Sequence, residues 1–425
     1  MRDLCVDPLT DPITTEILLS LQLRAGNERF LPRLKRFECE EPTEAFAPFI
    51  PLFLSPRTIE IRIMFGVDSS TIVNASIISR LPMLCPELQR VTLGHLGRDP
   101  ITTDAVSEML LACNPDSLQQ FHVDAPLTEE AREVLYQLPK LSELWVVFQG
   151  HTRLPSVALP NLTSIDVEFD DSLDWLQGFH GVALEKLDSI YLRSHSEKIG
   201  DLLGEFEKAL LTTSAQNTLT AFAFYTSCRW NPRYFCLLSF KQLQDLEIEF
   251  SCEDRCSSRV DDDVIATLAQ AMPKLEVLKL GDAPCHETTG ATVKGLIDLT
   301  FLCPHLSKLR IHFQADTLFD AAMNAVSTPL PEEEPDSQRE DCALTDLEVG
   351  DTPIPPQSGM KIALLLLQIF PRIRTVRYTN REWRAVAKTV KNFKQIGTYV
   401  RRIGTIHRHV RLTFKHSDAL SGASS

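Results

Sequence analysis

CPELQRVTL, Cys85–Leu93, decides the fold of this chain. Within it, LQRVTL (Leu88–Leu93) puts apolar residues at its first, fourth and sixth positions and polar residues between them. The last three residues alternate, as a short strand with one buried face does. The phrase L-x-x-L-x-L returns about thirteen times between residues 34 and 378. Clear copies begin at Leu118 (LQQFHV), Leu141 (LSELWV), Leu162 (LTSIDV), Leu187 (LDSIYL), Leu219 (LTAFAF) and Leu243 (LQDLEI). Further copies begin at Leu275, Leu306, Leu344 and Ile373, and two weaker ones at Leu34 (LKRFEC) and Pro56 (PRTIEI).

Successive copies start 21 to 38 residues apart, room for one strand, a loop and a helix of two to four turns. The intervening segments agree. Ile101–Leu111, Leu127–Leu138, Ser196–Leu211 and Asp261–Ala271 carry apolar residues at helical spacing, and Thr128 is placed to cap the second of these. Leu-Pro-x-Leu, Cys-Pro-x-Leu or a close variant precedes seven strands, at Pro32, Pro86, Pro139, Pro160, Pro273, Pro304 and Pro371. Proline stops a helix, and the strand begins just after it. A unit of this kind cannot bury its own apolar face, so units stack. The expected fold is an α/β leucine-rich-repeat solenoid of about 13 irregular repeats, a horseshoe with parallel strands on the concave face and helices on the convex face. It is expected to occupy residues 1–380. The acidic, proline-rich stretch 328–341 reads as a disordered loop inserted between repeats. Residues 381–411 read as a basic amphipathic helix capping the array through Trp383, Val386, Val390, Phe393, Val400 and Ile403, and 412–425 as a flexible tail.

The formal charge of −14 argues against nucleic acid as the main partner, because phosphate binding wants a basic surface. The charge is uneven: Arg372–Lys415 holds thirteen Lys or Arg and one acid, Glu382. The longest apolar run, Ile362–Phe370, is too short to span a bilayer. The start, MRDLCVDPLTDP, has no apolar core of a secretory signal, which makes an intracellular protein, cytoplasmic or nuclear, the expectation. The sequons at Asn74 and Asn161 then carry no meaning. Of eleven cysteines, Cys39, Cys85 and Cys303 stand where the repeat wants a small apolar residue and read as reduced core thiols.

Chemistry is scarce. Cys252 and Cys256 form a C-x3-C pair whose further zinc ligands would have to be Cys228 and Cys236, at irregular spacing; loop thiols explain them better. Asp261–Asp263 precedes a helix, where acids complement the dipole. Cys285-His286 lacks any nucleophile signature. Phosphate-binding, dinucleotide-binding, serine-hydrolase and zinc-protease motifs are missing. The expectation is a non-enzymatic chain with no cofactor and no metal.

Leu31–Ile63 (LPRLKRFECEEPTEAFAPFIPLFLSPRTIEIRI), followed by CPELQRVTL, resembles the leucine-rich region of F-box-like proteins numerous in mushroom-forming fungi. The resemblance covers essentially the whole chain; PFIPLFLSPR (Pro48–Arg57) is its most distinctive part. It implies the substrate-recognition part of a ubiquitin-ligase receptor. Such proteins usually open with an F-box, a helical module that grips a Skp-type adaptor through a Leu-Pro-x-Glu-hydrophobic start. That start is not found here. Asp11–Leu23 (DPITTEILLSLQL) is faintly similar, but matches a helix ahead of the first clear strand. The expectation is a member without its N-terminal module, by a truncated gene model or a genuine loss. A Skp-type adaptor is then a partner only if an F-box lies upstream. The alternative is an intracellular scaffold or regulatory interaction protein unrelated to ubiquitin.

Recognition would use the third, fifth and seventh positions of each phrase, which point away from the leucines. Trp145, Tyr191 and Tyr225 are candidate anchors, since Trp and Tyr dominate interface energetics. Asp245, Glu247 and Glu249 make an acidic rung, and Lys308, Arg310 and His312 a basic one, together suited to an elongated polar protein partner.

Overall fold

The computed structural model describes residues 2–7, 15–25, 30–66, 69–149, 159–169, 184–194, 206, 208, 210–226, 239–250, 260–281, 290–313, 343–350, 352, 354 and 358–394. The chain forms two compact units, Met1–Ser251 and Cys252–Ser425. In the first, ten strands follow one another: β1 Asp3–Val6, β2 Arg36–Glu40, β3 Glu60–Met64, β4 Arg90–Gly94, β5 Gln120–Pro126, β6 Glu143–Phe148, β7 Ser164–Phe169, β8 Ser189–Ser194, β9 Ala221–Thr226 and β10 Asp245–Phe250. In the second come β11 Val277–Leu280, β12 Lys308–Ile311, β13 Asp346–Glu348 and β14 Thr375–Arg377. Within each unit every strand pairs in parallel with the next in sequence. The described residues thus form an α/β protein of parallel strands, several of them joined through helices.

Every quoted phrase supplies one of these strands. A further strand, β1, precedes them. Its Leu4 and Val6 hold the fourth and sixth positions, but Met1 stands where the phrase has leucine, so the copy escapes the pattern. The helix Thr15–Ala25 then joins β1 to β2, its Leu18 buried, so TEILLSL is a connecting helix between adjacent strands, as expected.

One register differs from the sequence reading. β3 pairs Glu60 with Arg36 and Ile61 with Phe37, so the third and fourth positions of this copy are Glu60 and Ile61, and its first is Thr58, not Pro56. A slip of two residues keeps the same face buried, which is why the alternation alone did not reveal it. Thr58 replaces leucine with a polar clasp. It is fully buried, its Oγ1 donates to the Leu34 carbonyl (3.2 Å), and it accepts from the Ser55 amide (3.1 Å). Thr58→Val keeps the shape but deletes that donor. It should lower stability by about 1 kcal/mol in a denaturant titration.

The proline turns follow one geometry. In all seven, the residue opening the phrase donates its amide to the carbonyl three residues back, from Leu34 to Leu31 (3.0 Å), Leu88 to Cys85 (3.2 Å) and Ile373 to Phe370 (3.0 Å), for example. Proline therefore sits at the second residue of a β-turn, where its fixed φ fits. The second residue of each phrase then knits the copies. Within each unit its carbonyl accepts from both the second and third amides of the next copy, as Gln89 does from Gln119 (2.8 Å) and Gln120 (3.0 Å). This satisfies the backbone where the chain enters the strand.

The fourth and sixth positions, Val91 and Leu93, Phe121 and Val123, Leu246 and Ile248 among them, are buried with the opening leucines. Cys39, Cys85 and Cys303 are buried and unbridged, as expected for core thiols. PFIPLFLSPR forms a short helical corner that buries Phe49, Ile50, Phe53 and Leu54, with Phe53 stacked on Phe37 and Phe46. The helix Pro100–Ala112 is capped by Asp99 (3.1 Å to the Thr102 amide) and Glu129–Leu135 by Thr128. The triple acid is a helix start, as read: Asp261 caps Asp262–Ala271 (2.9 Å to the Val264 amide), and Asp262 accepts from the Thr292 amide (2.7 Å) and hydroxyl (2.6 Å). In the capping region residues 383–394 are helical, with Trp383, Val386 and Val390 buried. Phe393 departs from its expected role: it shares the helix face of Val386 and Val390 but, in the last described turn, is 43% exposed. The stretches 328–341 and 412–425, with Val400, Ile403, most of Ser196–Leu211 and Cys228, Cys236, Cys252, Cys256, Cys285 and His286, lie outside the described residues.

Candidate functional site

The third, fifth and seventh positions form the face of the sheet opposite the leucines. Strand register aligns them into rows. The fifth-position row runs His122, Trp145, Asp166, Tyr191, Ala223, Glu247 across β5 to β10, and beside it the seventh-position row runs Glu168, Arg193, Tyr225, Glu249 across β7 to β10. Direct neighbours in a row stand close enough for their side chains to interact.

On β2 to β4 the same face carries Arg36, Glu38, Glu40, Glu60, Arg62 and Arg90, and these neutralise one another. Arg36 pairs with Glu60 (3.1 Å), Arg62 with Glu38 (3.4 Å) and Arg90 with Glu60 (3.4 Å). Most of these groups are well exposed, so each pair adds at most about 1 kcal/mol.

From β5 to β10 the composition changes. Arg193 of β8 is the centre. Its guanidinium lies 5.2 Å from the Trp145 ring and 5.9 Å from the Tyr225 ring, and it pairs with Asp166 at 2.9 Å. A cation between two aromatic faces and beside a carboxylate gains from both the ring quadrupoles and the charge. His122 meets the other side of Trp145 edge-on at 6.4 Å and faces Glu143 at 3.6 Å. Arg98, from the loop after β4, reaches Glu168. Asp124 is occupied locally, accepting from the His95 and Leu96 amides, where His95 adopts a positive φ of 59°.

On β6 and β7, the directly paired Trp145 and Asp166 each bury a polar atom without a hydrogen-bond partner, Nε1 and Oδ1. Burial pushes the Asp166 carboxyl up to about 6, against the pull of Arg193 and with a contribution from Glu168. Desolvation outweighs the ion pair because only one carboxylate oxygen meets the guanidinium. Burial raises the Tyr191 and Tyr225 phenols too, helped by the surrounding carboxylates; the Tyr225 hydroxyl donates to Glu247. Burial lowers His122, against Glu143, which favours the charged imidazole.

The structure thus gathers the three aromatic candidates and the acidic rung in the first unit: Trp145, Tyr191 and Tyr225 are half-buried on β6, β8 and β9, and Asp245, Glu247 and Glu249 lie on β10. The basic rung belongs to the second unit. There Arg310 pairs with Glu348 (3.2 Å), and the His312 ring packs against Gly350, where an added Cβ would come 2.4 Å from it. Two of its three members are therefore engaged within their own unit rather than set out as a row of open charges.

No family model matches the chain, and no curated protein matches it.

The sequence reading named the aromatics but not Arg193, which joins two of them. Register was the available signal: Arg193 stands at the seventh position beside Tyr225, two strands from Trp145. Arg98 gave none, since it reaches Glu168 across 70 residues from a loop. Among the described residues no three His, Cys, Asp or Glu stand together to hold a metal ion, and no helix is long and apolar enough to cross a membrane.

Proposed function

We propose that this chain is a leucine-rich-repeat solenoid that binds another protein, without catalysis, on the face formed by the third, fifth and seventh strand positions, taken as its concave face. The observation that carries this reading is the contiguous patch of half-buried Trp145, Asp166, Tyr191, Arg193 and Tyr225, from two neighbouring rows on four adjacent strands. Rigid aromatics, already packed and preset on a sheet, lose little freedom on binding and make good anchors. The resemblance of Leu31–Ile63 supports the substrate-recognition part of an F-box-like ubiquitin-ligase receptor as the role, inside the cell.

One observation favours the scaffold reading instead. Thr15–Ala25, the stretch nearest to an F-box opening, is used to connect β1 to β2. A pull-down with purified Skp-type adaptor, run on the protein as its own cells produce it with any residues encoded ahead of Met1, separates the two readings: retention supports the receptor, and no retention supports a scaffold. The binding face is tested by affinity capture with the wild type and with Trp145→Ala plus Tyr191→Ala. A partner using this face should be lost by about tenfold or more in the double variant while melting stays close to wild type. Adding Arg310→Ala should change little further, since Arg310 is already paired with Glu348. A partner retained by the double variant would discard the face.

A further inference from the structure

We infer that the Trp145–Tyr225 sector of this face takes a basic peptide segment, and that Arg193 occupies, in the free protein, the slot that an arginine side chain of that segment enters. The inference deepens the proposed binding role and rests on it.

Charge points to the class of partner. The third, fifth and seventh positions of β6 to β10 carry six carboxylates, Glu143, Asp166, Glu168, Asp245, Glu247 and Glu249, and one cation, Arg193. Arg98 adds a second cation from outside the strands. The neighbouring β2 to β4 carry three of each sign in mutual pairs. On these described strand positions the acids outnumber the cations most strongly beside the aromatics, a composition suited to a positively charged partner.

Geometry points to the side chain. Arg193 shows what the sector holds: a guanidinium between two rings with a carboxylate at 2.9 Å. Its side chain is 37% exposed, so it closes the slot from the solvent side and can swing out. Beneath it, Trp145 Nε1 is a donor and Asp166 Oδ1 an acceptor, both unpartnered. Once Arg193 leaves, an incoming guanidinium can donate to both Asp166 oxygens, while a carbonyl of the same segment accepts from the indole. Arg193 makes only one of those contacts, because its own backbone on β8 fixes its approach.

This arrangement gives a sign that an ordinary contact role for Arg193 does not. Acetylated, amidated hexa-arginine is titrated into the full chain, with hexa-lysine and hexa-glutamate as controls, by calorimetry. Hexa-arginine should bind more tightly than hexa-lysine, weaken with salt, and exceed hexa-glutamate. Arg193→Ala should tighten hexa-arginine by about fivefold, because the slot is vacated. Trp145→Ala should weaken it by about tenfold. Unchanged or weaker binding to Arg193→Ala, or hexa-glutamate binding as well as hexa-arginine, overturns the inference. A captured protein partner that is lost with Trp145→Ala but is not displaced by hexa-arginine removes this inference and leaves the binding face standing. Partner and hexa-arginine both indifferent to Trp145→Ala would remove both.

Discussion

Replacing Trp383 by alanine is expected to destabilise the second unit by about 3–5 kcal/mol, the cost of emptying a large aromatic site. Trp383 is fully buried at the start of the helix 383–394. Its indole Nε1 donates to the Thr352 carbonyl at 2.7 Å, and its ring meets Phe313 edge-on at 6.0 Å. Thr352 in turn donates to the Val349 carbonyl (2.6 Å) and accepts from the Phe313 amide (3.4 Å). One side chain thus ties the segments leaving β12, β13 and β14. Phenylalanine at 383 keeps most of the apolar area and leaves the Thr352 carbonyl unpaired, a loss of about 1–2 kcal/mol. Because the chain has two compact units, the readout must resolve them. Hydrogen exchange on peptides from β12 to β14 should show faster opening, with peptides from β4 to β8 unchanged. Equal loss in both units would refute the assignment of Trp383 to the second unit's core alone.

The second large effect is a pH dependence centred on Asp166. Its carboxyl is raised from the ordinary carboxylate range to about 6 by burial, and its side chain is 20% exposed. Between the unfolded value near 4 and about 6, the native state holds the proton and the unfolded state does not. Stability from this group is therefore present below the unfolded value and is lost as pH rises through about 6. The loss amounts to ~3 kcal/mol by pH 7. Asp166→Asn removes that slope. Denaturant unfolding at pH 4.5 and pH 7 should show the wild type gaining on the variant at the lower pH; parallel profiles would contradict the buried, singly paired carboxylate. Pairing of Arg193 with Asp166 should weaken as pH falls through about 6, since the protonated acid is a poorer partner.

Much of this fold is legible in the sequence because its code is local. Pro86 and Leu88 specify a turn, and Val91 and Leu93 then face inward by simple alternation. Where local chemistry was replaced, legibility failed. Thr58 takes a leucine position through hydrogen bonds to Leu34 and Ser55, which no hydropathy pattern records, and β1 lacks the opening leucine. Phe393 keeps the helical spacing and the face of Val386 and Val390 yet is exposed, because periodicity does not say how far along a helix its packing extends.

The site divides along the same line. The amino-acid sequence by itself determined which residues leave the leucine core and stand on the open face, since a strand alternates its side chains whatever surrounds it. That placed Trp145, Tyr191, Tyr225 and the Asp245–Glu249 rung. Only the tertiary structure decided which of them meet. Arg193 lies between Trp145 and Tyr225, Arg98 reaches Glu168, and Arg310 is paired with Glu348. Those contacts depend on how long side chains bend across neighbouring strands and how loops return to the face. Both are set by packing rather than by spacing along the chain.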